Sequence, residues 1–221
     1  MALTIRSTVF LLLLVVVLIF GLVIGRQVYQ SGESARAVPA PELSELNTFV
    51  YDQGRALAQF QLLDERGRPR TPADLKGRWT FAFIGYTFCP DVCPATLSTL
   101  RQAAALLPPE VPQPDYLLIS ADPERDTPQR LAEYLRFFGE DFHGLTGDIE
   151  ELRRLATSLN AVFVHREDDG TRLVDHSAHL ALINPQGEMT AVIQPPHTPR
   201  DLAEAYQQIY QWARANRPGA G

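Results

Sequence analysis

The sequence predicts an α/β domain with a mixed sheet covered by helices on both faces, preceded by one membrane-spanning helix. Three observations support this fold class. An uncharged apolar run of helix length stands near the N-terminus, at residues 9–25. After it, apolar strand-like segments alternate with helix-like segments, the order that produces parallel strands with crossover helices. Two strand-like segments near the C-terminal end are separated only by a short turn, which adds antiparallel strands.

The apolar run "VFLLLLVVVLIFGLVIG" carries no charged residue. At about 1.5 Å per residue it just spans a hydrocarbon core of about 30 Å with help from its flanks. A cleaved signal peptide is the alternative, but its apolar region is usually shorter, and the cleavage-like "ARA" at 35–37 lies far downstream. We therefore expect four segments: an uncleaved anchor over 1–26, a linker over 27–46, one domain over 47–216 and a tail over 217–221.

The first elements of the domain are predicted from turn and capping residues as well as from apolar runs. Residues 58–63 predict a strand, followed by the turn sequence "DERGRP". In "TPADLKG", Thr71 can cap a single helical turn that has proline first and aspartate third. "WTFAFIGYTF", residues 79–88, is dense in aromatic and β-favouring residues and predicts a buried strand. A helix should follow over about 93–107, ended by two prolines.

The second half of the domain continues the alternation. "YLLIS", residues 116–120, predicts another buried strand. Helices are expected over 127–138 and 148–160, the first opening with the capping pair Thr-Pro. "VFVHRE", residues 162–167, predicts a strand, and "HLALINPQGEMTAVIQ" predicts a hairpin that turns at "NPQG". An amphipathic helix over 198–216 closes the chain, again after Thr-Pro.

Both cysteines of the chain stand at one strand-to-helix junction. Cys89 and Cys93 lie in "FCPDVCP", between the buried strand at 79–88 and the helix after it. In this order of elements, a cysteine pair at that junction is typical of a thioredoxin-like fold. That is an analogy of fold, and function must be argued from the site itself. The net charge of −6 speaks against a nucleic-acid partner, which would need a basic face.

Three kinds of chemistry are open to the cysteine pair: a structural disulfide, a redox couple and a metal site. A disulfide here would close a very short loop and would stabilise the chain little. Thioredoxin-type redox pairs are spaced C-x-x-C, whereas this pair is C-x-x-x-C. The wider spacing suits a shared soft metal such as Cu(I), with Zn(II) also possible. A helix N-terminus favours thiolate, the form that both exchange and metal binding require.

A nitrogen ligand could complete such a site, and the chain offers five histidines: His143, His165, His176, His179 and His197. A single histidine is more often a surface or satisfied core residue than a ligand. A role as ligand is better supported for His176, because it opens a predicted buried strand and has Asp175 beside it. If one strand contains both His176 and His179, only one of them can face the cysteines, since residues three apart point to opposite faces.

Three stretches of the sequence resemble a known family in the same order. "GYTFCPDVCP", "ISADPERDTP" and "VDHSAHLALINPQGE" are similar to signature stretches of the Sco (SenC) family of membrane-anchored, thioredoxin-fold copper proteins. The resemblance covers about residues 58–210. It implies copper, Cu(I) or Cu(II), bound by Cys89, Cys93 and His176. It also implies that Asp122 lies near the site without binding the metal; a loop-capping role is the alternative for this residue. Phe88 departs from members that carry histidine there.

The resemblance also implies a function. The expected role is that of a copper chaperone that helps to build the dinuclear copper centre of cytochrome c oxidase subunit II, by delivering copper, by reducing the target cysteines, or both. Subunit II or another copper protein would be the partner, and the domain would lie on the extracytoplasmic (periplasmic) side. A thiol-disulfide oxidoreductase or thiol peroxidase using the same cysteines is the alternative, and a zinc-binding or structural domain is the third interpretation.

Overall fold

The structure of the protein is a computed structural model that describes residues 5–34, 38–168 and 171–216. The chain divides into two units, Met1–Pro39 and Ala40–Gly221. The helices are α1 Ile5–Ser34, α2 Val92–Ala104, α3 Pro128–Leu135, α4 Ile149–Ser158 and α5 Pro199–Asn216. The strands are β1 Thr48–Ala56, β2 Leu62–Asp64, β3 Pro69–Arg70, β4 Thr80–Gly85, β5 Asp115–Ser120, β6 Phe142–Thr146, β7 Phe163–Asp168, β8 Thr171–His176, β9 Leu180–Ile183 and β10 Glu188–Ile193. The expected tail, 217–221, lies outside the described residues.

The N-terminal helix α1 contains the predicted anchor. Its 19-residue segment Thr8–Arg26 is long and apolar enough to cross a membrane, and none of that segment is buried. The helix continues to Ser34, through part of the segment that the sequence predicts to be a linker. By length and composition, α1 is therefore a candidate membrane span.

The predicted mixed sheet is confirmed. Eight strands form one sheet in the order β1-β10-β9-β4-β5-β6-β2-β3. The central pairs β4–β5 and β5–β6 are parallel, and the pairs towards both edges are antiparallel. Strands β7 and β8 form a separate antiparallel ribbon, the β7–β8 ribbon. Among the residues that the structure describes, this ribbon shares no strand ladder with the main sheet.

Side chains of β4 alternate between two hydrophobic cores, one on each face of the sheet. Phe81 and Phe83 belong to the core that also contains buried residues of α2, α3 and α5. Ala82 and Ile84 point to the opposite core, which contains buried residues of α4 and of the β7–β8 ribbon. Every residue of β4 is buried, as the apolar run at 79–88 predicts. The covering of both sheet faces confirms the predicted fold class.

The predicted helix starts are confirmed by their capping bonds. Thr71 donates from its amide (2.8 Å) and from its hydroxyl (2.9 Å) to the Asp74 carboxylate, at the start of a single 3₁₀ turn. The Thr127 hydroxyl accepts from the Arg130 amide at 3.2 Å and caps α3. Asp148 caps α4 through the amides of the two residues Glu150 and Glu151.

The strand predicted over 58–63 is wrong for most of its length. Residues 57–61 have no regular structure, and β2 begins only at Leu62. Leu57 and Phe60 are nevertheless buried, so this segment is apolar because it packs into the core and not because it pairs in the sheet. Strand β1 was not predicted. It lies at a sheet edge and pairs only with β10, so several of its residues stay exposed and polar.

The segment that contains His176 is also organised differently from the prediction. His176 is the last residue of β8, a strand that the sequence pattern did not indicate, and β9 begins only at Leu180. His176 and His179 are therefore not in one strand, and the alternation rule used to choose between them does not apply. The hairpin of β9 and β10 with its turn at "NPQG" is confirmed.

Candidate metal centre

The loop between β4 and α2 brings the two cysteines together. Cys89 lies in this loop, three residues before the helix begins, and Cys93 is the second residue of α2. The Cys89 amide donates to the carbonyl of Tyr86 at 3.2 Å, which closes the loop as a turn. The Cys93 amide points at the Cys89 sulfur, 3.5 Å away. The sulfurs therefore converge because Cys89 binds the open N-terminus of the helix, and not because both cysteines lie on one helical face.

His176 reaches the same place from the β7–β8 ribbon. Its Nε2 lies 3.6 Å from the sulfur of Cys93. Its Nδ1 lies 3.0 Å from the carbonyl oxygen of Ser177. A carbonyl can only accept a hydrogen bond, so Nδ1 is the donor here, and in a neutral imidazole Nε2 is then the nitrogen with the lone pair. The nitrogen that faces the cysteine sulfur is therefore the one able to bind a metal ion.

The ligand atoms of Cys89, Cys93 and His176 all lie within 4.8 Å of one another. Within residues 5–34, 38–168 and 171–216, this is the one group of three such residues close enough to hold a metal ion. Both cysteines are buried and carry free thiols, and the histidine is partly buried. Two sulfurs and one imidazole form a soft donor set, which suits copper better than magnesium or calcium.

The pKa values of the two thiols are shifted in opposite directions. The pKa of Cys89 is lowered to about 5, first because the Cys93 thiol donates a hydrogen bond to its sulfur, and further by the backbone amides of Asp91 and Cys93. The pKa of Cys93 is raised, because it is the donor in that bond and because it is more deeply buried. At neutral pH, the pair therefore contains one thiolate, Cys89, held beside one thiol.

The other four histidines bind partners away from the cysteines: His143 contacts Glu65, while His165, His179 and His197 bond to the carbonyls of Ala121, Leu159 and Ala178. His179, the rival to His176 in the sequence, is buried, and its Nε2 donates to the Leu159 carbonyl at 3.0 Å. The structure thus brings one histidine of the five to the cysteine pair.

Asp122 is fully buried in the loop after β5. Its carboxylate accepts a hydrogen bond from the Arg125 guanidinium, and its carbonyl accepts from the amides of Arg125 and Asp126. These bonds hold its own loop together, as the loop-capping alternative expects. The resemblance-based role of Asp122 beside the metal stays a prediction.

Asp126 is a second buried carboxylate, four residues after Asp122. It accepts from the Thr87 hydroxyl at 2.6 Å, from the Thr87 amide at 3.2 Å and from the Ser120 hydroxyl at 2.7 Å. Burial raises its pKa despite these donors. Because Thr87 stands two residues before Cys89, Asp126 fixes the cysteine loop to the end of β5. The sequence pattern could not reveal this contact, since the two residues are 39 positions apart.

An exposed aromatic side chain borders the cysteine pair. Phe88 is 48% exposed and lies between the guanidinium groups of Arg125 (4.8 Å) and Arg130 (4.9 Å). Arg130 also donates from Nε to the Thr87 hydroxyl at 3.0 Å. These cation–π contacts hold the ring in place beside Cys89.

A thioredoxin-like sheet with a C-x-x-x-C pair and a converging histidine defines a class of thiol-based metal-binding or redox protein. Comparison with known families identifies the chain further. The family model SCO1/SenC matches residues 51–211. The match covers most of the chain, and the protein belongs to the SCO1/SenC family.

Individual relatives agree with this assignment. A protein from Stutzerimonas stutzeri named as copper-binding is 42% identical over 156 residues, which cover 70% of this chain and 76% of the relative. The mitochondrial SCO2 homologue of Danio rerio is 35% identical over 179 residues, 79% of this chain and 63% of the relative. The crystal structure of Arabidopsis thaliana ScoI, solved with copper bound, is 32% identical with a TM-score of 0.66 and covers 70% of this chain and 98% of that one.

Proposed function

We propose that this protein is a copper chaperone that binds one copper ion through Cys89, Cys93 and His176 and serves the assembly of cytochrome c oxidase. The observation that carries the proposal is the convergence of these three ligand atoms within 4.8 Å. Members of the family are cytochrome c oxidase assembly proteins, and relatives have been solved with copper bound. In this role, copper is cargo that the chain accepts and releases.

The donor set favours copper over a structural zinc ion. Structural zinc sites are closed by four protein ligands, whereas the described part of this chain offers three. Cu(I) accepts two thiolates and one imidazole readily, because these are soft or borderline donors. A three-donor site also leaves a position at which a ligand from another protein can attach, which exchange of a cargo ion requires.

Metal binding must compete with disulfide formation at the same pair. The Cys89 thiolate and the Cys93 thiol are both free, and they lie close together. This observation also supports the second candidate function, thiol-disulfide exchange. In that reaction, the Cys89 thiolate attacks a disulfide of the partner and releases one partner thiolate, and Cys93 then displaces the second. The partner gains two thiols, and this chain becomes a disulfide.

Copper titration of the full-length chain in detergent tests the proposal. The reduced protein should bind one copper ion per chain against a competing Cu(I) chelator, and the oxidised protein should bind little until a reductant is added. Cys89→Ser and Cys93→Ser should each lose tight binding, because each removes one of two sulfurs. His197→Ala serves as a matched control, since His197 bonds to the Ala178 carbonyl and lies outside the ligand group.

Absence of copper binding by the reduced chain would contradict the chaperone proposal. If the reduced chain binds no copper but still reduces disulfides, the oxidoreductase function is favoured instead. The role in oxidase assembly is tested by transfer of copper to a purified soluble domain of oxidase subunit II. The expected result is appearance of the dinuclear copper spectrum in that domain when copper-loaded chain is added, and no spectrum when Cys89→Ser chain is added.

The proposed location is the extracytoplasmic face of a membrane, with residues 1–26 as an uncleaved anchor, 27–46 as a linker and 47–216 as the working domain. The support is the apolar segment Thr8–Arg26. The two cysteines provide the test, because they are the only thiols in the chain. A thiol reagent that cannot cross membranes should label Cys89, the thiol with the lowered pKa, in intact spheroplasts. Protection of Cys89 until the cells are lysed would place the domain in the cytoplasm.

A further inference from the structure

The three proposed ligands come from two parts of the fold that share no strand ladder. The cysteines lie at the end of β4 and the start of α2, on the main sheet, whereas His176 ends β8 in the separate β7–β8 ribbon. Backbone pairing therefore does not set the distance between the imidazole and the sulfurs. Besides the three-residue link from His176 to β9, side-chain contacts set this distance, and a residue that touches both parts can control the geometry of the site.

Tyr86 makes contacts with both parts. Its ring packs edge-on against the imidazole of His176, with centroids 6.0 Å apart and planes at 87°. The backbone of Val174, two residues before His176 on β8, lies near the phenol oxygen of Tyr86; burial raises the pKa of this phenol, and the Val174 backbone lowers it in part. Tyr86 is buried, with 4% of its surface exposed, so both contacts are shielded from water.

The backbone of the same residue binds the cysteines. Its carbonyl accepts the Cys89 amide at 3.2 Å. Its amide lies near the sulfur of Cys93 and lowers the pKa of that thiol in part, against the larger raising effects of Cys89 and burial. Tyr86 thus contacts the local structure of all three ligands, two through its backbone and one through its side chain. A substitution of Tyr86 can therefore alter the contacts of its side chain while the contacts of its backbone remain.

We propose that Tyr86 is a positioning residue, whose ring and phenol oxygen hold the imidazole of His176 at the distance from the cysteines that copper requires. The proposal rests on the proposed function, because it assumes that these three residues bind copper. It predicts that a change at Tyr86 affects the binding of Cu(I) and of Cu(II) differently. Cu(I) is held chiefly by two thiolates, whereas Cu(II) depends more on the imidazole nitrogen, so loosening the imidazole weakens Cu(II) more than Cu(I).

Tyr86→Phe tests the proposal with a small change, because it removes only the phenol oxygen. The β7–β8 ribbon keeps other attachments to the main sheet: His165 bonds to the Ala121 carbonyl at 2.7 Å, and Phe163 is buried in the core beneath the sheet. The variant is therefore expected to fold. Loss of a residue that orients a metal ligand typically costs about 10–100-fold in affinity. We expect Cu(II) affinity to fall by about tenfold and Cu(I) affinity by less than about threefold.

Tyr206→Phe is the matched control. The Tyr206 hydroxyl donates to the Pro112 carbonyl at 2.9 Å, and the residue is buried on α5, in the opposite core. The two variants therefore each remove one buried phenol oxygen, but only Tyr86→Phe does so beside the site. Tyr206→Phe should leave affinity for both copper states unchanged, even if it lowers thermal stability.

The experiment uses the full-length reduced chain in detergent and three readouts. They are the thiolate-to-Cu(II) absorption band with its electron paramagnetic resonance, Cu(I) competition against a chelator, and, without copper, NMR relaxation of the His176 ring. Tyr86→Phe should shift or weaken the Cu(II) signals and increase ring motion in the metal-free chain. Wild-type Cu(II) signals and ring relaxation in Tyr86→Phe would overturn the proposal. Equal effects of Tyr206→Phe would also overturn it, because the effect would then be general. A wild-type chain without copper signals would instead contradict the proposed function.

Discussion

The sulfur of Cys93 lies 3.6 Å from Nε2 of His176, although 83 residues separate them in the chain. One belongs to the first turn of α2, and the other ends the β7–β8 ribbon. This contact turns a cysteine pair, which alone could be a disulfide or a redox couple, into a three-donor group.

Replacement of His176 should affect the binding of Cu(I) and of Cu(II) differently. His176→Ala leaves two sulfurs, so the chain should still take Cu(I) but should lose the thiolate-to-Cu(II) absorption band. His179→Gln is the contrast, because His179 donates to the Leu159 carbonyl and a glutamine amide can also donate. That variant should keep the band. Absorption spectra of both variants after Cu(II) addition provide the measurement, and the reverse outcome would show that His179 is the ligand.

The reactivity of Cys89 should depend on pH with a midpoint near 5. Its pKa is lowered to about 5, so it is a thiolate at neutral pH and loses reactivity only as the pH falls through that value. Cys93 should stay unreactive, since its pKa is raised and it is buried. Alkylation rates measured by mass spectrometry between about pH 4 and 9 locate the midpoint. A midpoint for Cys89 near 9, the value of an ordinary thiol, would contradict the arrangement.

The same shift in pKa should make the stability of the reduced chain depend on pH. Between about pH 5 and 9, the folded chain holds Cys89 without its proton, whereas the unfolded chain keeps it. The folded state then binds fewer protons, so the free energy of unfolding should fall as the pH is lowered from 9 towards 5. Denaturant unfolding at several pH values checks this, with Cys89→Ser as the control that should show a weaker dependence.

Gly85 should tolerate no side chain, because Cys93 approaches it closely. A Cβ at this position would lie 2.9 Å from the Cys93 sulfur and 2.8 Å from a methyl carbon of Leu118. Gly85→Ala should destabilise the fold by about 1–3 kcal/mol and displace the sulfur, with weaker copper binding. Gly144→Ala is the matched control, since the nearest atoms to its Cβ would be leucine side chains at 3.0–3.3 Å and not a cysteine sulfur. Chelator competition should show a loss of copper affinity only for Gly85→Ala, and equal affinities would refute the displacement.

Thr87 should stabilise the cysteine loop through Asp126. Thr87→Val removes the hydroxyl that donates to the buried carboxylate at 2.6 Å, and an unsatisfied buried acceptor costs about 1–3 kcal/mol. Urea unfolding at about pH 7 should show this loss, and the difference from wild type should shrink at lower pH as Asp126 becomes protonated. Thr99→Val, at an exposed hydroxyl that bonds within α2, should change stability by less than about 0.5 kcal/mol. Equal effects of the two substitutions would exclude the proposed link.

The sequence predicted those features that depend on neighbouring residues. The apolar run of β4 and the capping residues Thr71 and Thr127 depend on contacts within a few positions, so they can be recognised from the sequence. The position of Cys89 and Cys93 between a strand and a helix follows from the same local patterns. The exposed edge strand β1 escaped prediction, because its pairing with β10 uses backbone groups that leave no apolar pattern.

The family resemblance named His176, but only the tertiary structure shows that its ring meets the cysteines and what holds it there. The sequence rule for choosing His176 assumed one strand through His176 and His179, whereas the two residues lie on either side of a break between β8 and β9. The bond from Asp126 to Thr87 and the contact of Tyr86 with His176 likewise join distant segments. Periodicity encodes which face of an element is buried, but it does not encode which side chains of separate elements meet. That meeting depends on the packing of the β7–β8 ribbon against the main sheet.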